Sequence, residues 1–261
     1  MECRLAAGPG AAACAALALL SVLAPGAPAQ APVTEIAFVP GPARELPWVG
    51  SVVGLTMAGA DTLAVLLDVP ADGRGSARRV RLLVQAPDGR ILHDEDFTGV
   101  LDRALGWDGE ALWSCGDAPD GSSILYSIEP DSLGALVTAK AYTAPGHRPT
   151  ALAWDGRYLW VTDRDSGRID RFDPEVEDFT RFVVAPGFSP CGLAWDGSAM
   201  WLTDSGTGRL YRLVGGRLGW NGVVDTMSFL HRGEDVLLLH DGRNLWYLVS
   251  GQQVANRVDF Q

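Results

Sequence analysis

The sequence predicts an all-β protein, a β-propeller of four-stranded antiparallel blades, and three observations predict it. One unit is written at least twice, as PTALAWDGRYLWVTDRDSGRIDRFDP from Pro149 and as PCGLAWDGSAMWLTDSGTGRLYRLV from Pro190. Weaker copies recur at spacings of 36 to 50 residues, around the period of a propeller blade. With 261 residues, 47% of them hydrophobic, the chain is long enough to hold five such units around a large core.

The unit reads as a hairpin followed by a third strand. An apolar run from Ala151 to Trp154 passes through a two-residue turn at Asp155 and Gly156 into Tyr158 to Thr162. A polar turn over Asp163 to Gly167 leads to the alternating Arg168-Ile169-Asp170-Arg171-Phe172. So short a meander cannot bury its own faces, and each copy therefore needs neighbours.

Ahead of the repeats, residues 1–29 read as a signal peptide. Arg4 gives a positive start, and Ala11 to Leu23 is an apolar run shorter than the roughly 20 residues of a spanning helix. Ala27-Pro28-Ala29 offers a small-x-small cleavage site. The expectation is export to a secreted or periplasmic location, with no stable membrane insertion afterwards and residues 30–261 as a single domain.

Within that domain, Thr34 to Val39 is one strand ahead of a break at Pro40-Gly41-Pro42. Gly54 to Gly59, Leu63 to Asp68, Val80 to Gln85 and Ile91 to Phe97 make a degenerate first repeat. Ala104 to Gly109, Ala111 to Cys115 and strands near Ile124 to Ile128 and Ala135 to Tyr142 make the second, and the two clear copies are the third and fourth. A worn fifth takes Ser228 to Gly233 and Asp235 to His240 as its first two strands, completed by Asn244 to Val249 and Val254 to Phe260. The repeats fall near 50–99, 100–145, 146–187, 188–224 and 225–261. Taking Met57, Trp107, Trp154, Trp195 and His231 as equivalent gives steps of 50, 47, 41 and 36. Because an open fan would leave two sheet edges exposed, Thr34 to Val39 is expected to pair with the last repeat and close the ring.

The line Pro149-x-Ala151-Leu152-Ala153-Trp154-Asp155-Gly156-x-x-Leu159-Trp160-Val161-Thr162-Asp163, ending in Gly167-Arg168-Ile169 and Phe172-Asp173-Pro174, resembles the repeats of NHL, YncE-like and SMP-30-like propellers. The resemblance implies the fold. Since that superfamily mixes lactonases, cyclases, lyases and binding modules, it implies no single activity. In its blade order the first strand descends from a top mouth along the channel and the second returns, so entrance and exit loops meet on one rim.

On that rim stand the candidate binding residues: Arg103, His147, Arg148 and Cys191 at first-strand entrances, and Asp163 and Asp204 at second-strand ends, with His240 and Asp241 as the fifth exit. His147 beside Arg148 is the most site-like pair, an imidazole that exchanges protons near neutrality and a guanidinium that clamps carboxylates. The recurrent aspartates read as turn caps, with a carboxylate ring around a divalent cation as the less favoured alternative. Cys191 has no base nearby in sequence and reads as a small buried hydrophobe rather than a nucleophile. Cys115 and Cys191 form either one disulfide or two buried thiols. Trp107, Trp113, Trp154, Trp160, Trp195 and Trp201 hold fixed places and read as packing between blades rather than a sugar platform. His93-Asp94-Glu95-Asp96 reads as a charged, protected outer edge. No catalytic set, metal site or cofactor is expected.

A net charge of −11 without a basic run argues against nucleic acid and anionic membranes as partners. The reading is an exported, monomeric propeller that binds a protein or small molecule. Two enzyme alternatives follow from the resemblance. A glutamine cyclotransferase matches in size, blade count and export, although Val53-Gly54-Leu55 stands where that family has Phe-Thr-Gln-Gly-Leu. A metal-dependent SMP-30-type lactonase needs Glu, Asn and Asp in the channel, and Asn221, Asn244 and Asn256 all fall outside the predicted channel strands.

Overall fold

The computed structural model describes residues 34–35, 38–45, 50–59, 61–69, 79–98, 103–118, 120–216, 219–228 and 232–260. The expected leader over residues 1–29, and His231, lie outside them. No helix occurs among the described residues, and the strands form five sheets.

Two strands, β1 (Thr34–Glu35) and β2 (Phe38–Glu45), precede the blades. Blade 1 is β3 (Ser51–Met57), β4 (Leu63–Val69), β5 (Arg79–Gln85) and β6 (Ile91–Thr98). Blade 2 is β7 (Arg103–Trp107), β8 (Leu112–Asp117), β9 (Ser123–Pro130) and β10 (Leu136–Thr143). Blade 3 is β11 (Pro149–Trp154), β12 (Leu159–Asp163), β13 (Arg168–Asp173) and β14 (Asp178–Val184). Blade 4 is β15 (Pro190–Trp195), β16 (Ala199–Asp204), β17 (Arg209–Gly216) and β18 (Gly219–Ser228). Blade 5 is β19 (Val236–His240), β20 (Leu245–Val249) and β21 (Val254–Phe260), with β2 as its outer strand. The innermost strands β3, β7, β11, β15 and β19 neighbour one another in turn, and β19 returns to β3, so the protein is a closed five-bladed β-propeller.

Packing follows the two-residue period of each strand, which sends alternate side chains toward opposite neighbours. On β12, Leu159 and Val161 join Trp113, Cys115 and Leu125 of blade 2, while Trp160 joins Leu193, Met200 and Leu202 of blade 4. Among the described residues five apolar clusters form, one for each interface of the ring. The cluster holding Val52, Leu55 and Val65 with Leu237 and Leu248 seals blade 5 onto blade 1. Outside the ring, Arg79 donates to Asp96 at 2.7 Å and Arg81 pairs with Asp94, giving β6 the solvated charged edge its sequence predicts.

At the lower end, the hairpin turn is longer than the Asp-Gly pair predicts. Trp154 faces Leu159, leaving four residues between, and Asp155 N–H donates to the Tyr158 carbonyl at 3.1 Å. Asp155 Oδ1 accepts the N–H groups of Arg157 and Tyr158, and Oδ2 accepts the Trp160 indole N–H at 2.7 Å. The carboxylate thus ties its own turn to the second strand. Asp108 with Trp113, Asp196 with Trp201 and Asp241 with Trp246 repeat the indole bond at 2.7 Å. Blade 1, with Ala58 at this place, lacks it.

Two expectations are corrected. The first strand of blade 5 is Val236–His240, not Ser228 to Gly233, and Leu245–Val249 is its second. Asp241 and Trp246 mark the register, because this pair makes the turn in blades 2 to 4 as well. His240 is then the equivalent of Trp154, and the steps from Met57 become 50, 47, 41 and 45. The N-terminal segment also divides its pairing. Phe38 and Val39 face Phe260 and Asp259 of blade 5, as closure requires, but Thr34 and Glu35 run parallel to Asp225 and Thr226 of blade 4. Pro40-Gly41-Pro42 does not end the strand; it lies where the register shifts between Pro40 and Ala43, a bulge on an edge where a missing N–H is tolerated.

Candidate functional site

In blades 3 and 4 the top rim is built by carboxylates that fasten the second strand to the entrance loop of its own blade. Asp163 is buried, and its Oδ2 accepts the Arg148 N–H at 2.6 Å while Oδ1 accepts that of Ser166 at 2.8 Å. Asp204 does the same with Ser189 at 2.6 Å and Thr207 at 2.7 Å. Burial alone would raise the Asp163 pKa; the Ser166, Arg148 and His147 donors outweigh it and hold the group below the usual carboxylate range. Glycine makes room for both: a Cβ on Gly146 would stand 2.1 Å from Asp163 Oδ2, and one on Gly187 would stand 2.6 Å from the Asp204 carboxylate. Beside each cap, Arg164 N–H donates to the Arg148 carbonyl and Ser205 N–H to that of Ser189.

Above the channel, these loops enclose a pocket of about 270 Å³ lined by Arg103, Arg148, Arg164, Asp235 and Ser250, with Thr150 and Cys191 in its wall. Arg103 is held by Asp117 at 2.8 Å, and Arg164 by Asp235 of blade 5. Arg164 keeps a buried Nε with no acceptor. Arg148 is exposed, and its guanidinium has no ion pair among the described residues. The mouth is therefore a cationic recess lined by three arginines, two of them ion-paired and Arg148 without a carboxylate partner among the described residues. That arrangement suits a planar anion.

Thr150 Oγ1 bonds Thr162 Oγ1 and donates to the Pro190 carbonyl, both at 2.9 Å, so its hydroxyl belongs to the scaffold. Cys191 is equally tied, its thiol set among Thr203 and the Val236 backbone. Burial pushes its pKa up despite the Thr203 bond, and burial pushes the Cys115 thiol to about 12. Both cysteines are free and buried, on blades 2 and 4, which rules out the disulfide and leaves neither sulfur as a thiolate at neutral pH.

The channel itself is closed. Leu55, Leu105, Leu152, Leu193 and Leu238 occupy the same position in the five innermost strands, and the void among them and their neighbours is about 10 Å³. A plate of leucines thus separates the top mouth from the bottom. Two residues further down each strand come Met57, Trp107, Trp154, Trp195 and His240, which ring a lower cavity of about 130 Å³.

Of the sequence-predicted rim residues, Arg103, Arg148 and Cys191 line the top pocket, while Asp163 and Asp204 hold its loops. His147 is exposed and does not line the pocket, so the His147-Arg148 pair is split. His240 and Asp241 lie at the bottom, opposite their expected place, because the fifth blade is shifted. Sequence reasoning misses Arg164, Asp235 and Ser250. Arg164 had a signal, since it stands where blade 4 has Ser205, whereas Asp235 and Ser250 required the correct fifth register. No group of three or more His, Cys, Asp or Glu suited to a metal occurs among the described residues.

No protein-family model matches the sequence, and no curated protein does. Among solved structures, the glutaminyl cyclase of Myxococcus xanthus aligns with a TM-score of 0.64 at 11% identity, covering 88% of this chain and 99% of that one. A putative 6-phosphogluconolactonase from Bacteroides uniformis aligns with a TM-score of 0.52 at 14% identity, over 75% of this chain and 63% of that one. At such identities the likeness is one of fold.

Proposed function

We propose that this chain is an exported ligand-binding propeller whose top mouth takes a small anion, a carboxylate or a phosphate, between Arg103, Arg148 and Arg164. The observation that carries the reading is that three arginines line one recess of about 270 Å³ in a protein of net charge −11. A local cationic mouth in an acidic molecule focuses anions there. Export rests on the leader-like sequence of residues 1–29. Calorimetric titration with succinate, citrate and inorganic phosphate tests the binding. At least one should bind saturably, and Arg148→Ala should weaken it about tenfold, the worth of one charge-assisted hydrogen bond. Binding by none, or binding indifferent to Arg148→Ala, would overturn the reading.

A second reading, a glutamine cyclotransferase, has the fold likeness to the Myxococcus xanthus cyclase over 99% of that chain in its favour. The acidic group at the mouth, Asp235, is engaged by Arg164. Incubation with Gln-initiated peptides separates the two, since cyclisation releases ammonia and is read directly by mass. A lactonase of the SMP-30 type has less support, the middle of the channel being lined by leucine, alanine, glycine and threonine. Hydrolysis of a lactone stimulated by an added divalent cation would restore it.

A further inference from the structure

The lower mouth has a different chemistry from the upper. Its cavity of about 130 Å³ is floored by the leucine plate and ringed by Trp107, Trp154, Trp195, Met57 and His240. The tryptophans of the second strands, Trp113, Trp160 and Trp201, are at most 5% exposed and pack between blades. Those of the first strands are only half-buried; they line the cavity and also pack against the clusters between the blades. Of the lining side chains, Thr56 carries a hydroxyl, His240 an imidazole, and the three tryptophans an indole N–H each.

Charge on this face is negative. Each first-strand tryptophan is followed directly by an aspartate, Asp108, Asp155 or Asp196, and His240 by Asp241. Among the described residues, the hydrogen-bond partners of all four carboxylates are N–H and O–H donors of neutral groups: turn amides, a serine hydroxyl, an asparagine amide and the indole of the second strand. For Asp196 and Asp241, burial would raise the pKa, but those donors outweigh it and hold the groups below the usual range. Arg157 turns outward over Tyr158, with 5.0 Å to the ring centroid, and Arg243 lines the grooves beside Trp246. Neither lines the cavity.

We propose that this aromatic mouth is a second binding site, for a small methylated ammonium group of the choline type. Indole faces attract such a cation through the ring quadrupole, and the ring of carboxylates adds a favourable field. A methylated ammonium sheds its water cheaply and needs no hydrogen-bond acceptor. An engineered cavity of about 150 Å³ takes a benzene molecule. A volume near 130 Å³ therefore suits a head group of comparable size.

The decisive comparison uses the purified protein and two isosteres, choline and the neutral 3,3-dimethylbutan-1-ol, followed by tryptophan fluorescence and calorimetry. Choline should bind saturably and at least about tenfold more tightly than the neutral alcohol. Trp154→Leu should weaken choline about tenfold, and Trp154→Phe less. Equal affinity for the two isosteres would show a merely apolar pocket and overturn the proposal, as would the absence of saturable choline binding. The isostere comparison on the unaltered protein stands even if Trp154→Leu fails to fold. Arg148→Ala should leave choline binding unchanged, which distinguishes failure of this proposal from failure of the anion site.

Discussion

The two mouths of the ring are made by opposite uses of one repeat. At the top, the groups that line the pocket are those that differ between blades: Arg148 where blade 4 has Ser189 and blade 5 has Asp235, and Arg164 where they have Ser205 and Ser250. At the bottom, the groups that line the cavity are the repeated ones, Trp107, Trp154 and Trp195. Variation among copies makes an asymmetric recess suited to a shaped anion. Repetition makes a near-symmetric ring suited to a round cation. A repeated residue is therefore not scaffold merely because it recurs; the second-strand tryptophans are packing, and those one turn away around the same hairpin form a wall.

What keeps the comparison sharp is the leucine plate, so the largest expected effect comes from breaking it. Leu193→Ala removes a side chain that is 3% exposed, at the meeting of all five blades. The loss should be about 2–5 kcal/mol, since the ring can close only partly over the cavity. Urea denaturation reads it as a lower midpoint at unchanged slope. A loss under about 1 kcal/mol would mean that the plate is loosely packed and the mouths communicate.

Next in size is a pH effect between blades 2 and 3, away from both mouths. Asp170 is buried on β13, and that burial pushes its pKa up to about 6; Arg168 at 3.2 Å opposes the shift and Asp163 adds to it. The folded value lies above the unfolded one, near 4, so the folded state holds this proton more tightly. Stability from this group is full below about pH 4 and is lost as pH rises through about 6, by at most about 3 kcal/mol. Asp170→Asn should flatten that slope, and a difference curve between wild type and variant that does not change from pH 4 to 7 would refute it.

Much of this architecture was legible in the sequence. Asp-Gly-x-x-Leu-Trp at Asp108 to Trp113, Asp155 to Trp160 and Asp241 to Trp246 marks four of the hairpins, with Met200 in place of leucine in the fourth copy. Reading from the tryptophan of the first strand instead placed His231 in the fifth blade, because His240 conceals the match at that one position. The stable landmark was the carboxylate and the indole it binds, since these two groups satisfy each other. The caps at Asp163 and Asp204 were equally readable, for a buried turn carboxylate must find its own backbone donors. The ion pair of Arg164 with Asp235 was not. It spans 71 residues and depends on the curvature of the whole ring.

The caps give a smaller effect with the opposite sign in pH, and they separate holding a mouth from lining it. Asp163→Ala strips the Arg148 and Ser166 amides of their acceptor, at an expected loss of about 1–3 kcal/mol. Its folded pKa lies below the unfolded value, so its contribution is present above about pH 4 and fades as pH falls through the folded pKa. Thermal melts from pH 3 to 7 should show the two proteins converging toward acid. A constant gap would assign the loss to packing rather than to the charge.

The smallest effect on stability should produce the clearest separation of the mouths. Arg148 is exposed and has no ion pair among the described residues, so Arg148→Ala should change stability by less than about 0.5 kcal/mol. Even so, it removes the one guanidinium at the top pocket that has no carboxylate already opposite it, and anion binding should fall while choline binding stays. Trp154→Leu should do the reverse, because Trp154 lines the lower cavity and the leucine plate lies between it and the arginines. The pair forms a double-mutant cycle across the plate, read by titrating each ligand into each protein. Sites that do not communicate give additive changes, within about 0.3–0.5 kcal/mol. A larger coupling would mean that the five innermost strands shift together, and that occupation of one mouth alters the other.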